Sequence, residues 1–391
     1  MQLGSFERSP IGRLVRITGH DARQDADYDH YAFLPDPLPH EIPLSQATYK
    51  LLSEADRALG ALKAHVELLP NPQLLVRPAL TREAVSTSAL EGTYAALSEV
   101  LEAEYAEERR TSAEVREVQN YVRAATKGIE LIETMPICLR LVSKLQKILV
   151  ARTRGDTYDS GRLRERQVYI GEEGGQIEES RFVPPPHGDV LRDGMSDWEK
   201  WINADDDVPL LVKAALGHYQ FETLHPFSDG NGRLGRLLIT LQLIHAGVLT
   251  QPVLNLSPWF EPRRAAYVDH LMTLSSTGDY NPWVSFFAQA VAARSKAASQ
   301  TISALLGARE RFLTKLRGVG AQGVVLDLAG DLIGFPRITV TRAAQQYGVT
   351  YPPANNAVSK LVSLGILREI TGSNYSRVFA CDEVYNIIHQ G

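Results

Sequence analysis

The sequence predicts a mostly α-helical protein with two small β-hairpins. Apolar residues recur at helical spacing from about Gln46 onwards. Residues 166–188 resemble two short extended segments around a glycine turn, and residues 366–380 alternate as a strand pair does around a Thr-Gly-Ser-Asn turn. The second hairpin follows two predicted helices joined at Gly348, which is the order of a winged helix-turn-helix.

The length of 391 residues predicts two or three domains. We predict an N-terminal arm and helical region over 1–115, a catalytic core over 116–300 and a winged helix-turn-helix over 301–391. Proline, aspartate and histidine are frequent up to about residue 43, which favours an extended arm there. Thr81 is expected to cap the next long helix, which Gly92 bends or ends.

Composition excludes several classes of protein. A net charge of −5 and a pI near 6.1 argue against a wholesale nucleic-acid or membrane binder. No stretch reaches the roughly 18 consecutive apolar residues of a membrane helix, and the first residues lack a signal-peptide core. Cys138 and Cys381 lack metal or redox spacing and are expected to be buried, reduced thiols. These features predict a soluble cytoplasmic protein.

The stretch HPFSDGNGRLGR, residues 225–236, lies between two apolar helical segments. Pro226, Gly230 and Gly232 permit a tight loop that presents free N–H groups at the start of the second helix, an anion site. Arg233 and Arg236 are three residues apart, so both guanidinium groups reach the same side of that helix.

Two further side chains complete this set. Asp229 is placed to hold a cation that bridges phosphates, and His225 is a natural general base for a hydroxyl. Each residue alone could merely satisfy carbonyls around a helix turn, but the whole set favours transfer of a phosphorus group. No P-loop and no G-x-S-x-G motif is present.

This stretch matches every fixed position of H-x-F-x-[DE]-G-N-[GK]-R-x-x-R and so resembles the Fic family signature. The resemblance extends from residue 69 to residue 291. It implies a mostly α-helical Fic core with a small β-hairpin flap. The implied activity is Mg²⁺-dependent transfer of AMP from ATP to a Ser, Thr or Tyr hydroxyl of a target protein.

The resemblance also implies a role for each motif residue. It assigns the base to His225, a core anchor to Phe227, Mg²⁺ binding to Asp229, α-phosphate orientation to Asn231, the anion hole to the N–H groups of Gly230 and Gly232, the β-phosphate to Arg233 and the γ-phosphate to Arg236. Relatives with lysine at the position of Gly232 act as kinases, so glycine favours nucleotidyl transfer.

The segment TSALEG, Thr87 to Gly92, resembles the inhibitory motif [ST]-x-x-x-E-[GN] of many Fic proteins. A carboxylate at Glu91 could pair with Arg236 and take the place of the γ-phosphate. ATP could then bind only with its α-phosphate misaligned for in-line attack by the target hydroxyl. In some relatives the same glutamate positions a water that removes AMP from the target. The sequence does not separate these two roles.

Two further regions are implied by the resemblance. The flap that aligns the target by strand pairing corresponds to Glu179, Ser180, Arg181, Phe182, Val183 and Pro184. Tyr267 is a candidate contact for adenine or ribose, although an aromatic residue at helical spacing also suits a core.

The C-terminal region has mild basic character. Asn355, Asn356, Ser359 and Lys360 fall on the predicted recognition helix, and Arg377 falls in the wing. Winged helices bind DNA or act as docking or dimerisation modules, so DNA and a second copy of the chain are both candidate partners.

The sequence therefore predicts a protein adenylyltransferase that uses ATP and Mg²⁺ and is restrained by Glu91. Two alternatives stay open. One is a de-AMPylating or bifunctional Fic enzyme, and the other is a DNA-binding regulator that senses ATP without covalent chemistry.

Overall fold

The computed structural model describes residues 1–21, 24–67, 69, 71–103, 112–171, 174–371 and 377–390. The fold is mostly helical with small antiparallel sheets, as the sequence predicts. The strands are β1 Gly12–Asp21, β2 Ala26–Pro35, β3 Arg337–Thr339, β4 Arg368–Glu369 and β5 Val378–Ala380.

The helices, in chain order, are α1 Leu3–Phe6, α2 Gln46–Glu67, α3 Gln73–Leu90, α4 Leu97–Ala103, α5 Ala113–Ile132, α6 Leu139–Val150, α7 Asp189–Ile202, α8 Leu210–Leu224, α9 Asn231–His245, α10 Ser257–Phe260, α11 Arg264–Thr277, α12 Tyr280–Gly318, α13 Val324–Asp331, α14 Val340–Gln346, α15 Tyr351–Ser363 and α16 Asp382–Gln390. In the part of the chain that the structure describes, no helix has both the length and the apolarity to cross a membrane.

The chain forms two compact units. The first comprises Met1–Ala58, Thr81–Leu249 and Leu256–Ala293, and the second comprises Leu59–Leu80, Thr250–Asn255 and Arg294–Gly391. The division into regions 1–115, 116–300 and 301–391 stays a prediction.

Helices α8 and α9 form the centre of the first unit. Nearly every side chain of both helices is buried, because α7 and α11 pack on α8 while α5 and α6 pack on α9. Helices that are apolar all round need such burial on every side. The loop that joins α8 to α9 is therefore held on a rigid base.

The N-terminal residues depart from the prediction of an extended arm. Strands β1 and β2 pair antiparallel from Gly12 opposite Pro35 to Asp21 opposite Ala26. Phe6, Phe33 and Phe182 form an aromatic cluster with ring centroids 5.4 to 6.0 Å apart. Polar and turn-forming residues dominate the composition here, but a few buried aromatic side chains decide the packing.

Helix α3 begins at Gln73, so the prediction that Thr81 caps this helix is wrong. Pro78 lies inside the helix, and Thr81 is buried within it. Buried Leu74, Leu75 and other apolar side chains stabilise the first turns despite the proline. The end of the helix agrees with the prediction, because Gly92 follows it in the left-handed region at φ 85°.

In the second unit, α14 and α15 are joined at Gly348, which has φ 62°, and strands β4 and β5 then pair antiparallel. Both features agree with the sequence, although most of the predicted Thr-Gly-Ser-Asn turn lies outside the described residues. Strand β3 was not predicted and pairs with the other edge of β5. Of the two free cysteines, Cys381 is buried as expected, whereas Cys138 is partly exposed.

Candidate active site

The loop between α8 and α9 has a fixed, tightly turned backbone. His225 ends α8 in the left-handed region at φ 48° and ψ 61°, and Gly230 begins α9 at φ 83°. A non-glycine residue in this region is uncommon and is held there by its surroundings. Phe227 is fully buried between these two residues and anchors the loop, as expected.

Asn231 bonds back across the same loop. The Phe227 N–H donates to Asn231 Oδ1 at 2.9 Å, and Asn231 Nδ2 donates to the Phe227 carbonyl at 2.8 Å. The Asn231 residue is only 2% exposed. In this structure the amide group therefore shapes the loop, and its contact with an α-phosphate stays a prediction.

The imidazole of His225 is oriented from its own helix. Nδ1 lies 3.4 Å from the Glu222 carbonyl oxygen, which favours the tautomer with the proton on Nδ1 because a carbonyl can only accept. Burial, followed by the charge of Arg164, lowers the pKa of His225 to about 4. Near neutral pH the ring is therefore uncharged and Nε2 carries a free lone pair.

Arg164 is a buried residue that the sequence analysis missed. Its guanidinium donates to the carbonyls of His225 at 2.9 Å and Pro185 at 2.5 Å, and its own N–H donates to the Pro226 carbonyl at 2.9 Å. Burial lowers the pKa of Arg164 to about 10, so it stays charged at neutral pH. The Arg164 guanidinium thus connects the loop between α8 and α9 to the segment that follows the predicted flap.

Two more residues outside the motif hold the loop. Gln146 Nε2 donates to the Asp229 carbonyl at 3.1 Å, and Ser228 Oγ donates to Asp159 Oδ2 at 2.5 Å. Gln146 and Asp159 are both buried. Because they come from different segments, they lock the loop from two sides.

Arg233 is buried and paired with two carboxylates. Its Nη1 lies 2.8 Å from Glu117 Oε2, and its Nη2 lies 3.3 Å from Asp229 Oδ1. Glu117 also accepts from the Thr93 hydroxyl at 2.9 Å. These two carboxylates hold the buried guanidinium in a fixed position beside the loop. Its Nε atom has no hydrogen-bond partner among the described residues.

Arg236 is held by the segment that contains Thr87 and Glu91. Its Nε donates to Thr87 Oγ1 at 2.7 Å, and its Nη2 donates to the Thr87 carbonyl at 3.1 Å and to Glu91 Oε1 at 2.5 Å. Burial acts to raise the pKa of Glu91, but the charge and hydrogen bond of Arg236, together with the charges of Arg233 and His225, outweigh burial and the pKa is lowered. Glu91 is therefore ionised and paired at neutral pH.

Gly232 provides the space that Glu91 occupies. A Cβ atom built at this position would collide with Glu91 Oε1 and lie 3.0 Å from Arg236 Nη1. Any larger residue would have to displace the carboxylate. The glycine of the motif thus permits the close approach of Glu91 to the first turn of α9.

A cavity of about 140 Å³ opens beside these groups. The residues predicted from the sequence that line it are Glu91, Arg181, Phe182, His225, Gly232, Arg236 and Tyr267. Asp229, Gly230, Asn231 and Arg233 lie in the adjoining loop and first turn of α9 instead. Thr87 lies behind Arg236 and is fully buried.

Asp229 is the residue that fits a metal ion best. Its carboxylate side chain is 36% exposed and contacts Arg233 at the long distance of 3.3 Å. Among the described residues no group of three or more histidine, cysteine, aspartate or glutamate side chains could hold a metal by itself. Mg²⁺ commonly binds one or two carboxylates plus substrate phosphates, so this arrangement fits that ion.

Tyr267 lies on α11 in an aromatic cluster. Its hydroxyl lies 2.7 Å from His218 Nε2, and its ring stacks on Phe260 at 4.9 Å. The residue is 4% exposed but contributes to the cavity wall. Tyr267 therefore belongs to the core and also lines the cavity, and its contact with adenine or ribose stays a prediction.

The predicted flap is not a regular hairpin in the described residues. Ile177–Glu179 form a 3₁₀ turn, and a single antiparallel bridge joins Ile170 to Phe182. The Phe33 N–H donates to the Val183 carbonyl at 2.9 Å. Arg181 and Phe182 reach the cavity, whereas Glu179, Ser180, Val183 and Pro184 do not line it.

Glu222 is a second carboxyl group in the cavity that sequence reasoning missed. It lies in the last turn of α8 and lines the same space as Glu91. Burial raises the pKa of Glu222 to about 8. The sequence offers one sign that Glu222 belongs to the site: it precedes His225 by three residues, and residues i and i+3 share a helix face.

Comparison with known proteins matches two stretches of the chain to models of protein families. Residues 49–130 match the Fic/DOC family N-terminal region, and residues 136–243 match the Fic/DOC family. The second match includes the whole loop between α8 and α9, and the first includes Thr87 and Glu91. The chain therefore contains Fic/DOC family domains.

Individual relatives agree with these matches. Over 160 residues, 40% of this chain, the sequence is 32% identical to protein adenylyltransferase Fic of Drosophila ananassae and 34% identical to that of Drosophila virilis. The matched part spans only 28% and 29% of those two proteins. A Fic family protein from Desulfovibrio desulfuricans G20 shares the fold, with a TM-score of 0.57 and 20% identity over 88% of this chain and 98% of that one.

Proposed function

We propose that this chain, which contains Fic/DOC family domains, transfers AMP from ATP to a Ser, Thr or Tyr hydroxyl of a protein. The observation that carries the proposal is the uncharged, oriented His225 beside Gly232 and Arg236 at one cavity. The names of the Drosophila relatives support the same reaction.

In the proposed reaction, the target hydroxyl oxygen attacks the α-phosphorus of ATP. His225 Nε2 takes the hydroxyl proton, a bond forms between that oxygen and the α-phosphorus, and the bond from the α-phosphorus to the bridging oxygen breaks. Pyrophosphate leaves with the electron pair of that bond. The depressed pKa of His225 suits a base, since the neutral ring is present throughout the physiological range.

The first turn of α9 would bind the phosphates. Gly230 and Gly232 allow the backbone N–H groups at this helix start to approach an anion, and the helix dipole favours negative charge there. Arg233 and Arg236 add two buried positive charges whose positions are fixed. Asn231 would keep the loop in the shape that presents these groups.

Mg²⁺ would be held by the exposed carboxylate of Asp229 together with phosphate oxygens of the nucleotide. When bound, the ion would neutralise phosphate charge and orient the triphosphate. The Arg233 contact at 3.3 Å is long enough for the carboxylate to turn toward such a cation.

Glu91 would act as a built-in inhibitor. Its carboxylate bonds to the Arg236 guanidinium that would otherwise receive the γ-phosphate. Thr87 bonds to the same guanidinium on the side away from the cavity. The cavity side of Arg236 would therefore bind either Glu91, in the inhibited state, or the γ-phosphate, in the active state. The ion pair supports restraint, and it is compatible with a second, hydrolytic use of Glu91.

The target would enter beside Arg181 and Phe182. The backbone N–H and carbonyl of Phe182 both form hydrogen bonds with the backbone of Ile170. These two bonds hold the short extended segment in a defined position next to the cavity. A target strand could then align its hydroxyl by pairing along the segment from Glu179 to Pro184.

The C-terminal elements α14, α15, β4 and β5 follow the order of a winged helix-turn-helix, and the module would dock a partner. Its basic residues are largely engaged within the second unit: Arg377 contacts Asn355 at 3.2 Å and Glu369 at 3.6 Å, and Arg368 pairs with Asp382. These contacts do not favour DNA over a protein partner, so DNA binding stays a prediction.

The test is a transfer assay with Mg²⁺ and ATP labelled at either the α- or the γ-phosphate. Purified wild-type protein and the Glu91→Gly variant are each mixed with a cell lysate. Protein-bound label from the α position alone, stronger in the variant, is expected. Label from the γ position would make the protein a kinase, and no label with either nucleotide would overturn the proposed transfer.

A further inference from the structure

The proposed reaction gives no role to Glu222, although this residue lines the proposed ATP cavity. Its side chain is 14% exposed, and its Oε1 atom is shielded from solvent. No residue in the described part of the chain forms a hydrogen bond with that atom. A buried polar atom without a partner is costly, so an unfilled partner position beside it is significant.

Two glycines of α9 place Glu222 beside Glu91. Gly232 and Gly235 are three residues apart and therefore lie on one face of the helix. A Cβ atom at Gly232 would collide with Glu91 Oε1, and a Cβ atom at Gly235 would lie 2.7 Å from Glu222 Oε1. The two carboxyl groups thus lie against the same helix face, one turn apart.

The two carboxyl groups have different charges at neutral pH. Burial raises the pKa of Glu222 to about 8; Arg236 opposes this shift and the charge of Glu91 adds to it. The pKa of Glu91 is lowered, so Glu91 is ionised while Glu222 is protonated. A protonated carboxyl can donate one O–H hydrogen bond, whereas a carboxylate can only accept.

We infer that Glu222 is a further nucleotide-binding residue of this cavity: as a neutral acid it donates a hydrogen bond to the terminal phosphate that replaces Glu91 at Arg236. As a carboxylate it repels that phosphate. This inference rests on the proposed function, because it requires ATP in the cavity. Its role is in binding, and no proton leaves Glu222 during the transfer.

Other charged or titratable groups around Glu222 come from every neighbouring element. They are His218 and His225 on α8, Arg236 on α9, Glu91 after α3, Arg264 and Tyr267 on α11, and Arg181 next to the bridge with Ile170. Burial lowers the pKa of His218 to about 3 and that of His225 to about 4. Tyr267 has a raised pKa, mainly through burial. Of these groups with a shifted pKa, Glu222 is the one whose charge changes between pH 7 and pH 9.

The experiment measures ATP binding by calorimetry on the full chain with Mg²⁺ at pH 7 and pH 9. The affinity of the wild-type protein for ATP should be about tenfold lower at pH 9 than at pH 7. At one pH unit above the pKa of Glu222, only about one molecule in ten keeps this carboxyl group protonated. Glu222→Gln should keep its affinity, because the amide cannot ionise and still donates N–H. The matched control Glu133→Gln, an exposed glutamate away from the cavity, should behave as wild type.

AMP gives a second comparison that needs no variant. It lacks the terminal phosphates, so its affinity for wild type should change less than twofold between the two pH values. An equal loss for ATP and AMP, or an equal loss for wild type and Glu222→Gln, would overturn the inference while the α-label transfer assay could still succeed. Absence of ATP binding in every protein would overturn the proposed function as well.

Discussion

The carboxylate of Glu91 lies 2.5 Å from the Arg236 guanidinium, but the two partners differ in exposure. The Arg236 side chain is 2% exposed and is also bonded twice to Thr87, whereas the Glu91 side chain is 37% exposed. The arginine is thus fixed, and the glutamate is the partner that can leave. An anion that enters the cavity would meet a preset guanidinium.

Replacing Glu91 by glycine should raise the transfer rate. The change removes the anion that competes for Arg236, and a coupling of this kind is typically 1 to 3 kcal/mol, or about fivefold to 150-fold. The measurement is the initial rate of protein-bound α-label at fixed ATP and Mg²⁺.

Glu133→Gly is the matched control for this variant, because Glu133 also directly follows a helix and is exposed. Its rate should equal that of wild type. A rate in Glu91→Gly that stays within twofold of wild type would count against the inhibitory role of the ion pair.

Arg164→Met should destabilise the protein by about 3 kcal/mol. The variant leaves the buried carbonyls of His225 and Pro185 without their charged donor. Urea unfolding monitored by tryptophan fluorescence gives the free energy. Exposed Arg162, two residues earlier, provides the control Arg162→Met, which should change stability by less than about 0.5 kcal/mol. Equal values for the two variants would contradict the structural role of Arg164.

The transfer rate of Glu91→Gly should vary less than about twofold between pH 7.5 and pH 5.5. A pKa lowered to about 4 keeps His225 neutral over this interval, and the neutral form is lost only as the pH falls toward that value. An ordinary histidine with a pKa near 6.5 would lose about tenfold. The test is the initial rate at saturating ATP, and a tenfold loss at pH 5.5 would show that burial does not depress this pKa.

Asp229→Asn should raise the Mg²⁺ concentration needed for half-maximal transfer by about tenfold or more, because a neutral amide replaces the carboxylate. The rate is measured across a Mg²⁺ titration in the Glu91→Gly background. Asp193→Asn, at an exposed position outside the motif, should leave the midpoint unchanged. An unchanged midpoint in Asp229→Asn would remove this residue from the metal site.

The sequence was sufficient to predict which residues of the loop between α8 and α9 lie together, because these residues belong to one short motif. His225, Gly232 and Arg236 meet at one cavity because twelve consecutive residues join two buried helices. The contact of Glu91 with Arg236 spans 145 positions and was still foreseen, since both residues belong to recognisable motifs.

Other parts of the site have no local pattern. Arg164 and Glu117 are single polar residues whose roles depend on burial and on partners far along the chain. Burial and long-range hydrogen bonds arise only when the chain folds, so neither spacing nor composition marks them. The pairing of β1 with β2 was missed for a related reason, because its stability comes from tertiary contacts of a few aromatic residues.

The most direct test of the central claim is mass spectrometry of target proteins after reaction with unlabelled ATP and Mg²⁺. Reactions with Glu91→Gly should yield peptides that carry the added mass of one AMP group on a Ser, Thr or Tyr hydroxyl. These peptides should be absent with Glu91→Gly/His225→Ala, because the base is lost while the cavity and Arg236 remain. AMP-bearing peptides at equal abundance with both variants, or with neither, would contradict AMP transfer by His225.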